Sequence, residues 1–189
     1  MNYLTYWYWE NQLSQKDIVY LNKYINKNYN YYEENTKGAH NKETGELLKN
    51  SKVKCITLGK IKNKINRIVN NAIAVAQIEF GYTVFQPLDG DILLYNSYSS
   101  KNLGKYNYHI DASDSNKHDI KLTLLINISQ KPYKGGEFCY FHYEENTIKQ
   151  FNKPGNVILL KSHINHRVTP VTKGERNTLT YFISGPRFT

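Results

Sequence analysis

His109 and Asp111 stand two residues apart in the stretch YNYHID. In a strand that spacing sends both side chains from the same face. His166 opens a later β-type run, HRVTPV. Two imidazoles and one carboxylate on a small barrel have the composition of a facial triad, which holds Fe(II) and leaves positions open for a co-substrate and dioxygen. An H-x-D pair alone has a plainer meaning, two hydrogen-bonded or surface residues. Arg176, ten residues beyond His166, sharpens the pattern. If Lys173, Gly174 and Glu175 form a three-residue hairpin loop with Gly174 at positive φ, the even spacing puts His166 and Arg176 on one face; a two-residue turn would oppose them. A guanidinium pointing into a barrel wants a carboxylate partner. A small diacid, held by the metal at one end and by Arg176 at the other, supplies it. The alternative for Arg176 is a solvated ion pair on a hairpin.

These residues need a β scaffold, and the C-terminal half has its pattern. From Tyr82 onward short β-type runs alternate with turn residues: 83–86, 91–98, 106–110, 120–128, 136–141, 146–151, 156–160, 166–171 and 177–183. That spacing suits an antiparallel barrel or sandwich rather than βαβ units. Upstream, YLTYWYW (3–9) reads as a strand, and Ser14 with Asp17 is a helix-opening capping signature. The helix runs to about Lys27, with Ile18, Val19, Leu21, Tyr24 and Ile25 on one side. Ile61, Ile65, Ile68, Val69, Ala72, Ile73 and Ala76 mark a second amphipathic helix ending near Gly81. Residues 28–52 between them are polar, the profile of a functional loop or a disordered one. The whole chain reads as one domain, 1–81 as helical support and polar loop, 82–189 as an all-β core.

The 189 residues are 40% hydrophobic and 22% charged, which excludes wholesale disorder. Cys55 and Cys139 have no CxxC spacing, which argues against a disulfide framework or a cysteine zinc site. The longest uninterrupted apolar stretch, Ala72 to Ala76, is far too short to span a membrane, and no secretory signal is visible; the expectation is a cytoplasmic protein. The net charge of +9 invites nucleic acid, but the 21 lysines are dispersed, arginines number 4, and 23 asparagines accompany them. Such a composition follows from A/T-rich codons as readily as from a basic binding face.

Taken together, His109-x-Asp111, Lys134-Gly-Gly-Glu-Phe138, and His166-Arg-Val-Thr-Pro170-Val followed by Gly174-x-Arg176 resemble the Fe(II)/2-oxoglutarate-dependent oxygenases. The similarity is greatest to the prolyl-4-hydroxylase-like branch, including small bacterial and bacteriophage-encoded relatives. It is dense from about Asp91 to Phe188, and WYWENQLSQKD resembles the opening strand and helix of those relatives. The resemblance implies a mainly β fold, a double-stranded β-helix (jelly-roll) core with supporting N-terminal α-helices. It implies Fe(II), 2-oxoglutarate and dioxygen, with ascorbate as a candidate accessory reductant, and succinate and carbon dioxide as co-products. His109, Asp111 and His166 fall on the iron triad, and Arg176 on the residue that holds the distal carboxylate of 2-oxoglutarate. Thr178 falls where a hydroxyl supports that carboxylate. Tyr98 falls near a co-substrate tyrosine, with Tyr95 and Tyr106 as competitors. Phe182 stands where many relatives carry tryptophan. His163 competes with His166, which alone precedes Val-x-Pro at the right distance from Arg176; His40, His118 and His142 read as surface or loop residues. Lys121 and Lys161 are the next basic residues for the diacid should Arg176 not hold it.

Other features have plain readings. Gly135–Gly136 suits a tight bend, since no helix follows to make a phosphate site, and the Tyr6–Trp9 aromatics suit core packing. The resemblance favours a prolyl residue of a peptide or protein as target, with residues 28–52 closing over it and Tyr31 and Tyr32 touching the proline ring. One rival is oxidative demethylation of nucleic acid, against which RNTLTY lacks a second arginine; another is a non-enzymatic metal-binding jelly roll used for interaction.

Overall fold

Period-2 alternation in the strands and two one-sided helices decide how the chain layers. The computed structural model describes residues 4–32, 39–40, 45, 47–111 and 118–187. The strands are β1 (Tyr6–Trp9), β2 (Ala39–His40), β3 (Leu47–Asn50), β4 (Lys52–Thr57), β5 (Ile92–Ser99), β6 (Lys105–His109) and β7 (Asp119–Asn127). They continue with β8 (Lys134–Gly135), β9 (Phe138–His142), β10 (Glu144–Thr147), β11 (Val157–Lys161), β12 (His166–Val168), β13 (Val171–Lys173) and β14 (Glu175–Gly185); the helices are α1 (Gln15–Asn28) and α2 (Lys62–Ile78). A major sheet has the order β1-β11-β7-β14-β5-β4 and a minor sheet β10-β9-β12-β6-β3-β2, while β13 and β8 form a short ladder. All of these pairings are antiparallel. The architecture is the expected mainly β jelly roll with helices behind the major sheet.

Alternate residues of the major sheet face opposite ways. Leu122, Leu124, Ile126, Val157, Leu159, Leu179, Tyr181 and Ile183 pack on α1 and α2, against Ile18, Leu21, Ile25, Ile65, Ile68 and Ala72. Leu125, Ile158 and Leu160 face the minor sheet and meet Phe138, Phe151 and Val168. The α1 cap is as the sequence implies: Ser14 Oγ accepts from the Asp17 N–H at 3.1 Å. Helix α2 is followed by a left-handed Gly81 (φ 68), and the Tyr82 N–H closes back on the Ala76 carbonyl at 2.9 Å. Among the described residues no helix is long and apolar enough to cross a membrane.

Four expectations are corrected. Residues 83–86 form no strand, because Pro87 follows and lacks the N–H a ladder needs. NTIKQF divides into the end of β10 and a 3-10 turn, Lys149–Asn152. HRVTPV breaks at Pro170 into β12, in the minor sheet, and β13, paired with β8, so His166 and Arg176 are not partners across a hairpin. Gly174 does take positive φ (76), but it joins β13 to β14 as the chain crosses between sheets. Finally, the polar segment 28–52 contains structure: β3 and β4 lie largely within it or start there. Tyr31 is not at the barrel mouth. It packs against the helical core, with Lys54 Nζ 4.3 Å from its ring centre, and lines a cleft with Tyr95 and Ser97 on the far face of the major sheet. Tyr32 is half-exposed and its N–H donates to the Val53 carbonyl. Of the proposed lid, 33–38, 41–44 and 46 lie outside the described residues.

Candidate metal and co-substrate site

The two sheets face each other across a pocket lined by strands of both, and the triad stands on its minor-sheet side. His109 ends β6, His166 begins β12, and the two are direct antiparallel partners. Asp111 follows β6, held by its N–H to the Ser162 carbonyl at 2.9 Å. Nε2 of His166 lies 3.4 Å from Asp111 Oδ2 and Nε2 of His109 3.6 Å from Oδ1. The three ligand atoms lie within 4.8 Å of one another. Each imidazole has its Nδ1 against the carbonyl two residues back, Asn107 at 2.8 Å and Ile164 at 2.9 Å. Nδ1–H therefore donates to backbone, which turns Nε2 of each ring toward Asp111, the orientation a metal requires. Burial, and then the neighbouring His166, push His109 down to about 4, so its ring is neutral at pH 7. Thr123 on β7 donates to Asp111 Oδ2 at 2.7 Å and orients the carboxylate.

A bulge shapes this wall. His109 and Tyr106 are opposite His166 and Val168, so two intervening residues of β6, Asn107 and Tyr108, face one of β12, Arg167. The extra residue turns Tyr106 onto the inner face, where its ring stacks on His109 with centroids 3.5 Å apart.

The major sheet supplies the other wall. From β14 come Arg176, Thr178, Thr180 and Phe182, and from β5 Leu94, Asn96 and Tyr98. Arg176 is 1% exposed, between the rings of Tyr98 and Phe151, its guanidinium carbon 5.3 Å from each centre. Its Nε and Nη2 have no partner among the described residues. Two buried guanidinium donors without an acceptor match the carboxylate of a diacid, and a 2-His-1-carboxylate donor set matches Fe(II). Gly136 makes the space: it sits at φ 64, and a Cβ there would come within 2.9 Å of Arg176 Cδ and of Val171 Cγ2. The Gly-Gly pair is thus both a bend and a relief for the anchor.

Every named triad and anchor residue lines this pocket: His109, Asp111, His166, Arg176, Tyr98 and Thr178. Of the three tyrosines, Tyr98 pairs directly with Arg176 across β5 and β14, and burial pushes its phenol up to about 12, opposed by the Arg176 charge. Tyr106 also lines the pocket; Tyr95 does not, its hydroxyl donating to Asn22 on the helical side at 3.1 Å. His163 is exposed and outside the cluster. Lys121 pairs with Asp119 at 3.6 Å and Lys161 lies near Phe80 and Tyr82; neither lines the pocket. Sequence reasoning missed Thr123, Asn96, Thr180 and Lys49. Asn96 and Thr180 share strand parity with Tyr98 and Thr178 and were legible from it. Lys49 carried no signal, since β3 has no apolar alternation.

A double-stranded β-helix with a two-imidazole, one-carboxylate triad facing a buried arginine, two of whose donors are unmatched among the described residues, has the features of the non-haem iron oxygenase class. Residues 93–184 match the model of the 2OG-Fe(II) oxygenase superfamily. The cofactors of that family are Fe(II), 2-oxoglutarate and dioxygen. In fold the chain is similar to a Pseudomonas putida prolyl-4-hydroxylase (TM-score 0.68, 14% identity, 97% of this chain and 94% of that one). It is similar also to the viral collagen prolyl hydroxylase of Paramecium bursaria Chlorella virus-1, solved as a 2OG complex (TM-score 0.69, 16% identity, 96% and 97%). OsALKBH1 shares the fold as well (TM-score 0.61, 15% identity, 96% and 98%). No curated protein matches the chain in sequence.

Proposed function

We propose that this 2OG-Fe(II) oxygenase hydroxylates an unactivated C–H of a prolyl residue in a peptide or protein. The observation that carries the reading is the one pocket in which the triad faces Arg176, whose two guanidinium donors lack a partner among the described residues. His109, Asp111 and His166 would hold the iron, and Arg176 the distal carboxylate of 2-oxoglutarate, with Tyr98 and Thr178 beside it. Iron, 2-oxoglutarate and dioxygen when bound supply the oxidising power, one oxygen atom entering the C–H bond and the other leaving in succinate. The chain's own residues turn the Nε2 atoms of His109 and His166 toward Asp111 and orient Asp111 through Thr123, and Arg176 would hold the diacid by one end. Leu125, Phe138 and Val168 exclude water from that end.

The prolyl target is supported by fold likeness to two prolyl hydroxylases, while OsALKBH1 at a comparable TM-score means that fold alone does not choose the substrate. The test is stimulated turnover: succinate formation with proline-containing peptides, single-stranded oligonucleotides and free amino acids in parallel. Stimulation by peptides with a mass gain of one oxygen on proline supports the reading. Stimulation by oligonucleotides alone refutes the target and promotes demethylation.

A further inference from the structure

The pocket contains a second cation among its described residues. Lys49, from β3, pairs across the ladder with Tyr106 of β6 and lines the same cavity as the triad. Its Nζ donates to Asn96 Oδ1 at 3.0 Å, and Asn96 is itself fixed by its Nδ2 donating to Thr180 Oγ1 at 3.2 Å. The ammonium also stands 4.8 Å from the centre of the Tyr106 ring, which in turn stacks on His109. It is therefore positioned one aromatic ring away from the metal ligands, by a residue from each sheet. Burial lowers Lys49 to about 8, partly offset by the charge of Asp111, and it remains an ammonium at pH 7.

A buried cation needs a counter-charge. In the loaded site the two charges of iron and that of Arg176 are matched by Asp111 and the two carboxylates of 2-oxoglutarate. Lys49 is left over. Asn96 offers it a neutral amide oxygen and Tyr106 a ring face; neither is an anion.

We propose that Lys49 determines substrate specificity by receiving a carboxylate of the organic substrate beside the C–H that is hydroxylated. This rests on the reading of the protein as a prolyl hydroxylase and names which prolines it takes: those with an acidic group adjacent. The carboxylate has two sources, the α-carboxylate of a C-terminal proline or the side chain of a neighbouring Asp or Glu. Both place an anion within a few ångströms of the ring.

Four peptides and three variants test it. The peptides carry an internal proline followed by Glu or by Gln, and a C-terminal proline with a free or an amidated carboxylate. The variants are Lys49→Met, Lys49→Arg and Lys49→Glu. The wild type should favour one acidic peptide over its neutral twin by at least tenfold in kcat/KM, and which pair shows the preference identifies the source. Lys49→Met should abolish that preference, leaving the KM for 2-oxoglutarate within twofold. Lys49→Arg should keep most of it, and Lys49→Glu should shift preference to a peptide with Lys after proline. Equal loss on acidic and neutral peptides, or a tenfold weaker 2-oxoglutarate in Lys49→Met, overturns the proposal. If no peptide stimulates the wild type, the prolyl reading has failed, and acetate titrated into the Mn(II)- and 2-oxoglutarate-loaded protein decides the Lys49 assignment separately. Saturable binding in wild type and not in Lys49→Met sustains it; equal binding in both, or none in either, overturns it.

Discussion

Arg176→Met should move stability in opposite directions with and without 2-oxoglutarate. In the free protein the guanidinium is buried with Nε and Nη2 lacking an acceptor among the described residues. Each such donor costs about 1–3 kcal/mol; the lower end suits a cavity that reaches half-buried Leu94 and Phe182. Methionine keeps an unbranched apolar stem between Tyr98 and Phe151 and deletes both donors. The free variant should therefore be as stable as wild type or more stable by about 1–2 kcal/mol. With ligand the sign reverses, because losing one member of a buried charged pair costs about 3–5 kcal/mol. At a concentration of 100 Kd the wild type gains about 2.7 kcal/mol from 2-oxoglutarate. A loss of about 3 kcal/mol in affinity leaves the variant less than about 0.3 kcal/mol at that concentration. Urea unfolding of the Mn(II)-loaded protein, with and without 2-oxoglutarate, reads both quantities. A free variant destabilised by more than about 1 kcal/mol, or an undiminished ligand effect, would refute the reasoning.

Gly136→Ala should weaken 2-oxoglutarate about tenfold by calorimetry, since the methyl presses on Arg176 Cδ and displaces the guanidinium; iron binding should be spared. Thr123→Val removes the hydrogen bond to Asp111 Oδ2, and metal affinity should fall about 10–100-fold in a competition titration with little change in 2-oxoglutarate contacts. Asn22→Leu should cost about 2–4 kcal/mol in denaturant unfolding. It strands the Ile128 carbonyl in the core and takes one of its partners from the Tyr95 hydroxyl, where the Asn22 side chain is wholly buried and bonds both.

The site was legible where chemistry and strand parity coincide. His109 and Asp111 share a face as their spacing implies, and Arg176 with Thr178 does the same on β14. The route from His166 to Arg176 was not legible, because both residues line one pocket from facing sheets and a hairpin would give the same outcome from the opposite topology. Tyr106 breaks parity with His109, since a bulge is a property of pairing between strands distant in sequence. Helix α1 could be read from its cap and its apolar side, both local signals. Strands β3 and β4 escaped because much of what holds them, the ladders to β6 and β5, lies far along the chain. Gly136 could be assigned to a bend from its neighbours, but its second service to Arg176 depends on a contact forty residues away.

Strand β3 meets β6 through only Lys49 and Asn50, at the edge region of the minor sheet, whereas β14 is flanked on both sides along most of its length. The two halves of the pocket therefore differ in how freely they can be exchanged. A one-residue insertion within β14 would transpose its pocket residues with those packed on the helices, destroying anchor and core at once. A graft replacing β2 and β3 would leave His109, Asp111, His166 and Arg176 on their own ladders. One scaffold could accept new clientele by swapping that border segment, with its oxidising centre inherited intact.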